Sequence, residues 1–582
     1  MREAASIVRA LVVAVAALAA LARPAVAQAP AADGGAPRPF HEQVDLRPLD
    51  RVAVFSEGRL KSFASFASSQ MQFVTGPRKV GGQGADFTYL DLMIRPGAYR
   101  DADIVYVKNK EVRARIAQAA LRAEPADPAL PERMRAFEKS GLASPLVLAL
   151  PPVAQELKAM EGDLIRTAKE MDAMKGALSV KEPQYLLGSL RLVPPADGAV
   201  DKPWTSIGDL MLLGADQAQL PANLRERKVE PIPGIDEARQ RALAADWRAL
   251  VIAWQQGDAG AVNARVASIA DALPTLVPSI YPSKERLEWE GWYFRSGNLS
   301  RIWLVFLAAT VLLLLALVYR WPWAMKAGMV TFGVAAALQT FAVLLRWYIS
   351  GRWPNSNMFE AVTTAAWMGT ALAFVAEAWF LRRSAMRGVV ALGASVTSMV
   401  ALMAAYLLPV QLNPNISNMM PVLHDVWLYI HTNVIIFSYA LIFMAAVSAA
   451  AYLCWRLAGG GMAHARVGGA GAVAGLAERS SMGEVLDGVT MLLTEVSFVM
   501  LWAGIVMGAI WADHSWGRPW GWDPKEVFAL NTFVIFALLI HVRWKVQDKG
   551  LWTAILAVAG AAVMLFNWIV INFVISGLHS YA

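Results

Sequence analysis

The sequence predicts a polytopic α-helical membrane protein of about eight C-terminal transmembrane helices, preceded by an exported, α-rich α+β soluble domain. Three observations predict it. The chain has 582 residues, of which 56% are hydrophobic and 17% charged, and the apolar residues concentrate in the second half. Apolar runs long enough to cross a bilayer recur from Ile302 onward. Lysines and arginines gather in alternate connections between those runs.

Residues 1–27 read as an export signal, cleaved or retained as a short anchor. Arg2 and Arg9 precede an apolar run from Ala10 to Ala22, and Ala25-Val26-Ala27 has the small-x-small form of a cleavage site. Residues 28–38 are rich in Ala, Pro and Gly and read as a linker. Residues 39–296 are enough for a hydrophobic core of their own. Within them Gln184–Val193 has strand character, and the stretches near 112–124, 148–178 and 235–273 carry helical periodicity. Leu287-Glu-Trp-Glu-Gly-Trp-Tyr-Phe294 is expected on the membrane surface ahead of the first span.

The eight expected spans lie near 302–319, 327–346, 360–380, 388–408, 431–455, 488–510, 526–543 and 552–575. With an exported first domain, the inner connections hold Arg320, Lys326, Arg382, Arg383, Arg387, Arg456, Arg466, Arg479, Arg543, Lys545 and Lys549. The outer ones hold Arg352, Arg518 and Lys525, so the positive-inside rule supports this orientation in a bacterial cytoplasmic (inner) membrane, with the soluble domain on the periplasmic side.

Composition excludes several functions. The net charge of +7 is spread out, without the basic stripe that nucleic-acid binding requires. Cys454 is the only cysteine, so the chain offers no internal disulfide, no Cys-x-x-Cys pair and no thiolate cluster for zinc.

The segment that asks for a function is Trp511-Ala-Asp-His-Ser-Trp-Gly-Arg-Pro-Trp-Gly-Trp-Asp-Pro-Lys-Glu526, four tryptophans and several charges at a membrane edge. Flat indole faces beside Arg518 and Lys525 suit a large, planar, anionic ligand such as heme. The same residues also suit an ordinary aromatic belt, and Asp523-Pro-Lys-Glu526 is a strong helix start. Of seven histidines, His431 and His579 fall at the exported face beside this segment, where neutral imidazoles could hold an iron from both sides. His541 lies inside an apolar span, where an ionisable group is costly and points to function, or else snorkels beside Arg543. His424 and His514 read as solvated loop residues, and His41 and His464 carry no functional signal. Asn567 and Asn572 read as helix-packing groups, and Glu377 and Glu495 as polar groups facing the bundle interior.

Together these residues resemble the WWD signature and its surroundings in the CcsA (ResC) family of cytochrome c biogenesis. Arg346-Trp-Tyr-Ile-Ser-Gly-Arg-Trp-Pro-Asn-Ser-Asn-Met-Phe-Glu360 is similar to the family's segment before its third core helix. Trp427-Leu-Tyr-Ile-His431 resembles the first exported-face histidine, Leu539-Ile-His541-Val-Arg543 the membrane histidine, and Gly577-Leu-His579-Ser-Tyr581 the second exported-face histidine. The resemblance covers residues 300–582, with Phe359, Pro519 and Phe533 departing from the commonest family residues. It implies a System II heme lyase (holocytochrome c synthase) acting on apocytochrome c. In that reading heme b enters near His541 and rests on Trp511, Trp516, Trp520 and Trp522, with His431 and His579 as axial ligands. Asp523 is implied as a catalytic residue beside those two histidines. Arg518 and Lys525 would meet the propionates. The alternative is a heme exporter or presenter without ligase activity. Since a multi-helix CcsB portion is missing from this sequence, the resemblance also implies a separate CcsB-like membrane subunit.

Overall fold

From Trp303 onward the apolar runs fold into helices because a bilayer leaves the backbone no partner but itself. A computed structural model describes residues 39–77, 79–123, 127–162, 167–196, 203–215, 230–418, 425–466, 480–572 and 575. The expected signal and linker, His424 and His579 lie outside the described residues. The chain divides into two compact units, one ending at Ser296 and the other beginning at Gly297.

In the second unit the helices are α1 (Trp303–Tyr319), α2 (Pro322–Ser350), α3 (Met358–Val375), α4 (Val389–Leu407), α5 (Val426–Leu457), α6 (Met482–Trp516), α7 (Pro524–Lys545) and α8 (Lys549–Phe566). Among the described residues eight helices are long and apolar enough to cross a membrane, as the sequence predicts, and the chain is a multi-pass membrane protein. Two end in π-turns, α3 through Ala376–Phe380 and α8 through Asn567–Ile571. Several helix starts are capped by side chains. Asn357 caps α3, Asp425 caps α5, and Ser481 with Glu484 and Asp523 with Glu526 form capping boxes on α6 and α7.

Successive helices run antiparallel, so the α2–α3, α4–α5 and α6–α7 connections share one face, here the tryptophan-loop face. At the opposite ends of α5 to α8 a buried polar cluster fixes the packing. The Arg543 guanidinium donates to both Asp487 carboxylate oxygens (2.8 and 2.7 Å) and to Thr553 Oγ1 (2.7 Å), while Asp487 also accepts the Ala465 N–H (2.7 Å). Arg456 pairs with Asp548 at 2.6 Å. Glu377, from the π-turn after α3, accepts the N–H groups of Gly388 (2.9 Å) and Ala391 (3.1 Å) and so caps α4 from its neighbour. Glu377 is buried as the sequence reading placed it, while Glu495 is half-buried.

Among its described residues the first unit is α-rich, with three short antiparallel strand pairs: Ala53–Ser56 with Arg59–Ser62, Val105–Tyr106 with Leu142–Ala143, and Arg191–Val193 with Thr205–Ser206. Its centre is organised by Asp91, which accepts from Trp254 Nε1 (2.7 Å), Tyr99 Oη (2.7 Å) and Arg95 Nε (2.6 Å). Asp50 is also buried and pairs with Arg295, yet burial outweighs that guanidinium and pushes its carboxyl up to about 7. One expectation is corrected here. Gln184–Val193 is mostly helix, Pro183–Ser189, with strand only at Arg191–Val193. Pro183 presets the first helical φ, and a short apolar run cannot by itself distinguish the two periods. Leu287–Phe294 belongs to the helix Lys284–Arg295, which buries Leu287, Glu290, Gly291 and Tyr293 within this unit, where Glu290 binds Arg59.

Candidate functional site

On α5, His431 sits in the second helical turn and leans against α6. It can do so because α6 carries Gly504 and Gly508 one turn apart. A Cβ at Gly508 would stand 2.6 Å from the imidazole Cε1, and one at Gly504 would stand 2.6 Å from Ile435 Cδ1. The two glycines therefore form a notch that receives His431 and Ile435, themselves four residues apart on α5. At this close approach His431 Nδ1 lies 2.7 Å from the Gly504 carbonyl oxygen. A carbonyl only accepts, so Nδ1 is the donor in this contact. Metal-ligating imidazoles are commonly oriented by a bond of this kind from the other ring nitrogen.

His431 opens onto a cavity at the tryptophan-loop face. Leu428, Thr432, Ile435, Ile436 and Tyr439 of α5 line it, with Ile505, Gly508, Ala509 and Trp511 of α6 opposite. Pro519 and Trp520 close it from the loop, Lys525, Glu526 and Ala529 from α7, and Asn567, Trp568 and Asn572 from the end of α8; Met358 at the start of α3 completes the wall. The lining is aromatic and aliphatic with a few polar groups, the composition of a small-molecule or cofactor pocket.

The tryptophan segment is less of a loop than its sequence suggests. Trp511–Trp516 is the last part of α6, Pro524 opens α7, and only Gly517–Asp523 connects them. Trp511 is buried, its ring 4.8 Å from that of Trp516. Glu526 accepts the N–H groups of Gly521 (2.8 Å) and Asp523 (3.1 Å), and this pins the turn that presents Trp520.

Of the predicted site residues, the cavity brings together His431, Trp511, Trp520 and Lys525, with the Trp516 ring edge-on to Trp511. Others stand elsewhere. Trp522 is 73% exposed and adopts a left-handed φ of 56°, with its ring perpendicular to that of Trp520. Arg518 is exposed and outside the lining. The Asp523 carboxylate is buried in the α7 cap, accepting the Lys525 N–H at 3.1 Å, so the helix-start reading describes its position and it does not line the cavity.

His541 is exposed on α7, with Nδ1 2.7 Å from the Ala537 carbonyl of its own helix and its ring 5.5 Å from that of Trp544. It does not accompany Arg543, because two residues turn an α-helix by about 200°. Arg543 points into the Asp487 cluster, and His541 therefore points out, beside Val534, Leu538 and Trp544. In a bilayer this side meets lipid or a neighbouring helix. His514 is exposed, 3.9 Å from Asp425.

Sequence reading missed Gly504, Gly508, Tyr439, Trp568 and Met358. The glycine pair had a signal, the Gly-x-x-x-Gly spacing that marks close helix approach in membranes. Asn567 does join helices, donating to Tyr439 Oη at 3.0 Å, and it lines the cavity as well.

Comparison with known proteins concerns the membrane unit. The family described as cytochrome C assembly protein matches residues 355–579. A cytochrome c biogenesis protein CcsA of Parasynechococcus marenigrum is 34% identical over 292 residues, covering 47% of this chain and 93% of that relative. The CcsA of Thermosynechococcus vestitus is 30% identical over 312 residues, 48% of this chain and 96% of the relative.

The chain belongs to the CcsA family of cytochrome c biogenesis proteins. The family match contains His431, the tryptophan segment, His541 and His579, and begins after the soluble unit has ended. Cytochrome c assembly involves heme. The wall of the cavity holds one imidazole, bonded through Nδ1 to a carbonyl, the indoles of Trp511, Trp520 and Trp568, and Lys525.

Proposed function

We propose that this CcsA-family protein carries heme b to the exported face of a bacterial inner membrane. There it presents the heme for covalent attachment to the Cys-x-x-Cys-His thiols of apocytochrome c. The observation that carries the reading is the His431 imidazole, held through Nδ1 by the Gly504 carbonyl in the wall of an aromatic cavity. His431 and His579 are the proposed axial ligands, and Lys525 the proposed propionate partner. Heme held at fixed depth and orientation lets two vinyl groups meet two thiols, each S–H adding across a vinyl double bond, with sulfur bonding to one carbon and the hydrogen going to the other. Such catalysis is largely positioning. His541, turned outward on α7, is the proposed entry ligand, to be completed by a helix of a CcsB-like subunit.

The test is co-production with a reporter apocytochrome in a host lacking its own maturation system, with and without a CcsB-like subunit. Covalent heme on the reporter is the expected result. Heme retained by the chain with none transferred, with or without the subunit, would contradict the lyase reading and leave a heme presenter.

A further inference from the structure

The connection between α2 and α3 is unusually well anchored for seven residues at a membrane edge. Its base is Glu360, fully buried, which binds two guanidinium groups: Arg346 from α2 (2.8 Å) and Arg352 from the connection (2.9 Å). Glu360 also accepts the backbone N–H and hydroxyl of Ser356, at 2.9 and 3.1 Å. Arg346 continues to the Pro414 carbonyl (2.9 Å), so the α4–α5 connection is tied to the same base. Further along, Thr364 of α3 donates to the Pro354 carbonyl at 2.9 Å. The Trp353 ring lies between those of Trp347 and Trp367, 5.2 and 5.8 Å away.

From this base the connection reaches α5 at two points. Trp353 Nε1 donates to Asn433 Oδ1 at 2.8 Å, and Asn355 Nδ2 donates to Thr432 Oγ1 at 3.2 Å. Those are the two residues that follow His431. Asn433 lies about 200° around the helix from His431, nearly opposite. The same turn of α5 is therefore gripped on one side by the Gly504 carbonyl through His431 and on the other by Trp353 through Asn433.

We propose that the 351–357 connection is a strut that sets the rotation of α5, and that Glu360, Trp353 and Asn355 are positioning residues for the His431 imidazole. The inference rests on the reading of His431 as a heme ligand. Rotation matters because a side-chain tip ~5 Å from the helix axis moves by about 1 Å for a turn of roughly 10°. A displacement of about 1 Å is enough to lose on the order of a hundredfold where function depends on alignment.

The test compares the full chain with Trp353→Phe/Asn355→Ala, which removes both donors and keeps an aromatic ring between the neighbouring tryptophans. Two readouts apply. In heme-free protein, amide hydrogen exchange across residues 427–434 is expected to accelerate by roughly tenfold or more, as two bonds are lost. With hemin added, the low-spin fraction is expected to fall and to return on adding imidazole. Glu360→Gln is expected to act in the same direction more strongly; should it fail to fold, the double variant decides. Exchange and spectra indistinguishable from the parent in the double variant would overturn the strut. His431→Gly is measured alongside. If it alters the hemin spectrum while the double variant does not, the strut fails and the ligand reading stands. If His431→Gly leaves the spectrum unchanged, both fail together.

Discussion

His431→Gly is expected to lower covalent heme on a co-produced reporter by about a hundredfold, with partial recovery when imidazole is supplied. The size follows from how much of the local structure serves this one ring. Two glycines on α6 are placed so that the imidazole can enter their notch, and a backbone carbonyl holds it through Nδ1. Removing the ring leaves a vacancy of imidazole shape facing the cavity, which a soluble imidazole can refill. A variant that merely unfolded the helix pair would not be rescued in this way. Unchanged reporter yield would exclude His431 as a ligand.

Arg543→Met is expected to destabilise the membrane unit by about 3–5 kcal/mol, because it leaves the Asp487 carboxylate buried without its cation. Asp487 sits near the start of α6 and Arg543 near the end of α7, and their bidentate pair with Thr553 and Ala465 binds the ends of three helices and a connection. Asp487→Leu/Arg543→Met removes both charges and is expected to recover most of that loss, since apolar replacements of a buried pair are often neutral or better. Thermal unfolding of the purified variants checks both. Equal unfolding temperatures for the single variant and the parent would show that the pair is not what holds these ends. The pair also fixes the rotation of α7, and thereby the outward direction of His541.

These two cases mark what was legible in the sequence. The spans were legible because an apolar run of bilayer length has one physical solution. His431 and the tryptophans stood out through their resemblance to the WWD segment and its neighbouring histidines, since a histidine or tryptophan at a membrane edge is by itself ordinary. What the sequence could not supply was rotation. Whether His541 faces inward depends on Arg543 finding Asp487, 56 residues away. Whether Trp522 faces the cavity depends on a left-handed residue that delivers Asp523 to its cap. Arg518 and Lys525 looked equivalent as cations, yet only the helix start carries its cation into the cavity wall. Span ends were blurred for a related reason. α6 runs on to Trp516, beyond the expected 510, because Asp513 and His514 are exposed on a helix that continues past the apolar run.

The most direct measurement of the central claim is a hemin titration of the purified full chain, read by optical and electron paramagnetic resonance spectra, beside the same titration of His431→Gly. The account predicts saturable uptake by the parent, with a low-spin signal of axial imidazole nitrogen that His431→Gly loses. A chain that takes up no hemin, or one whose spectrum is the same without His431, would contradict it.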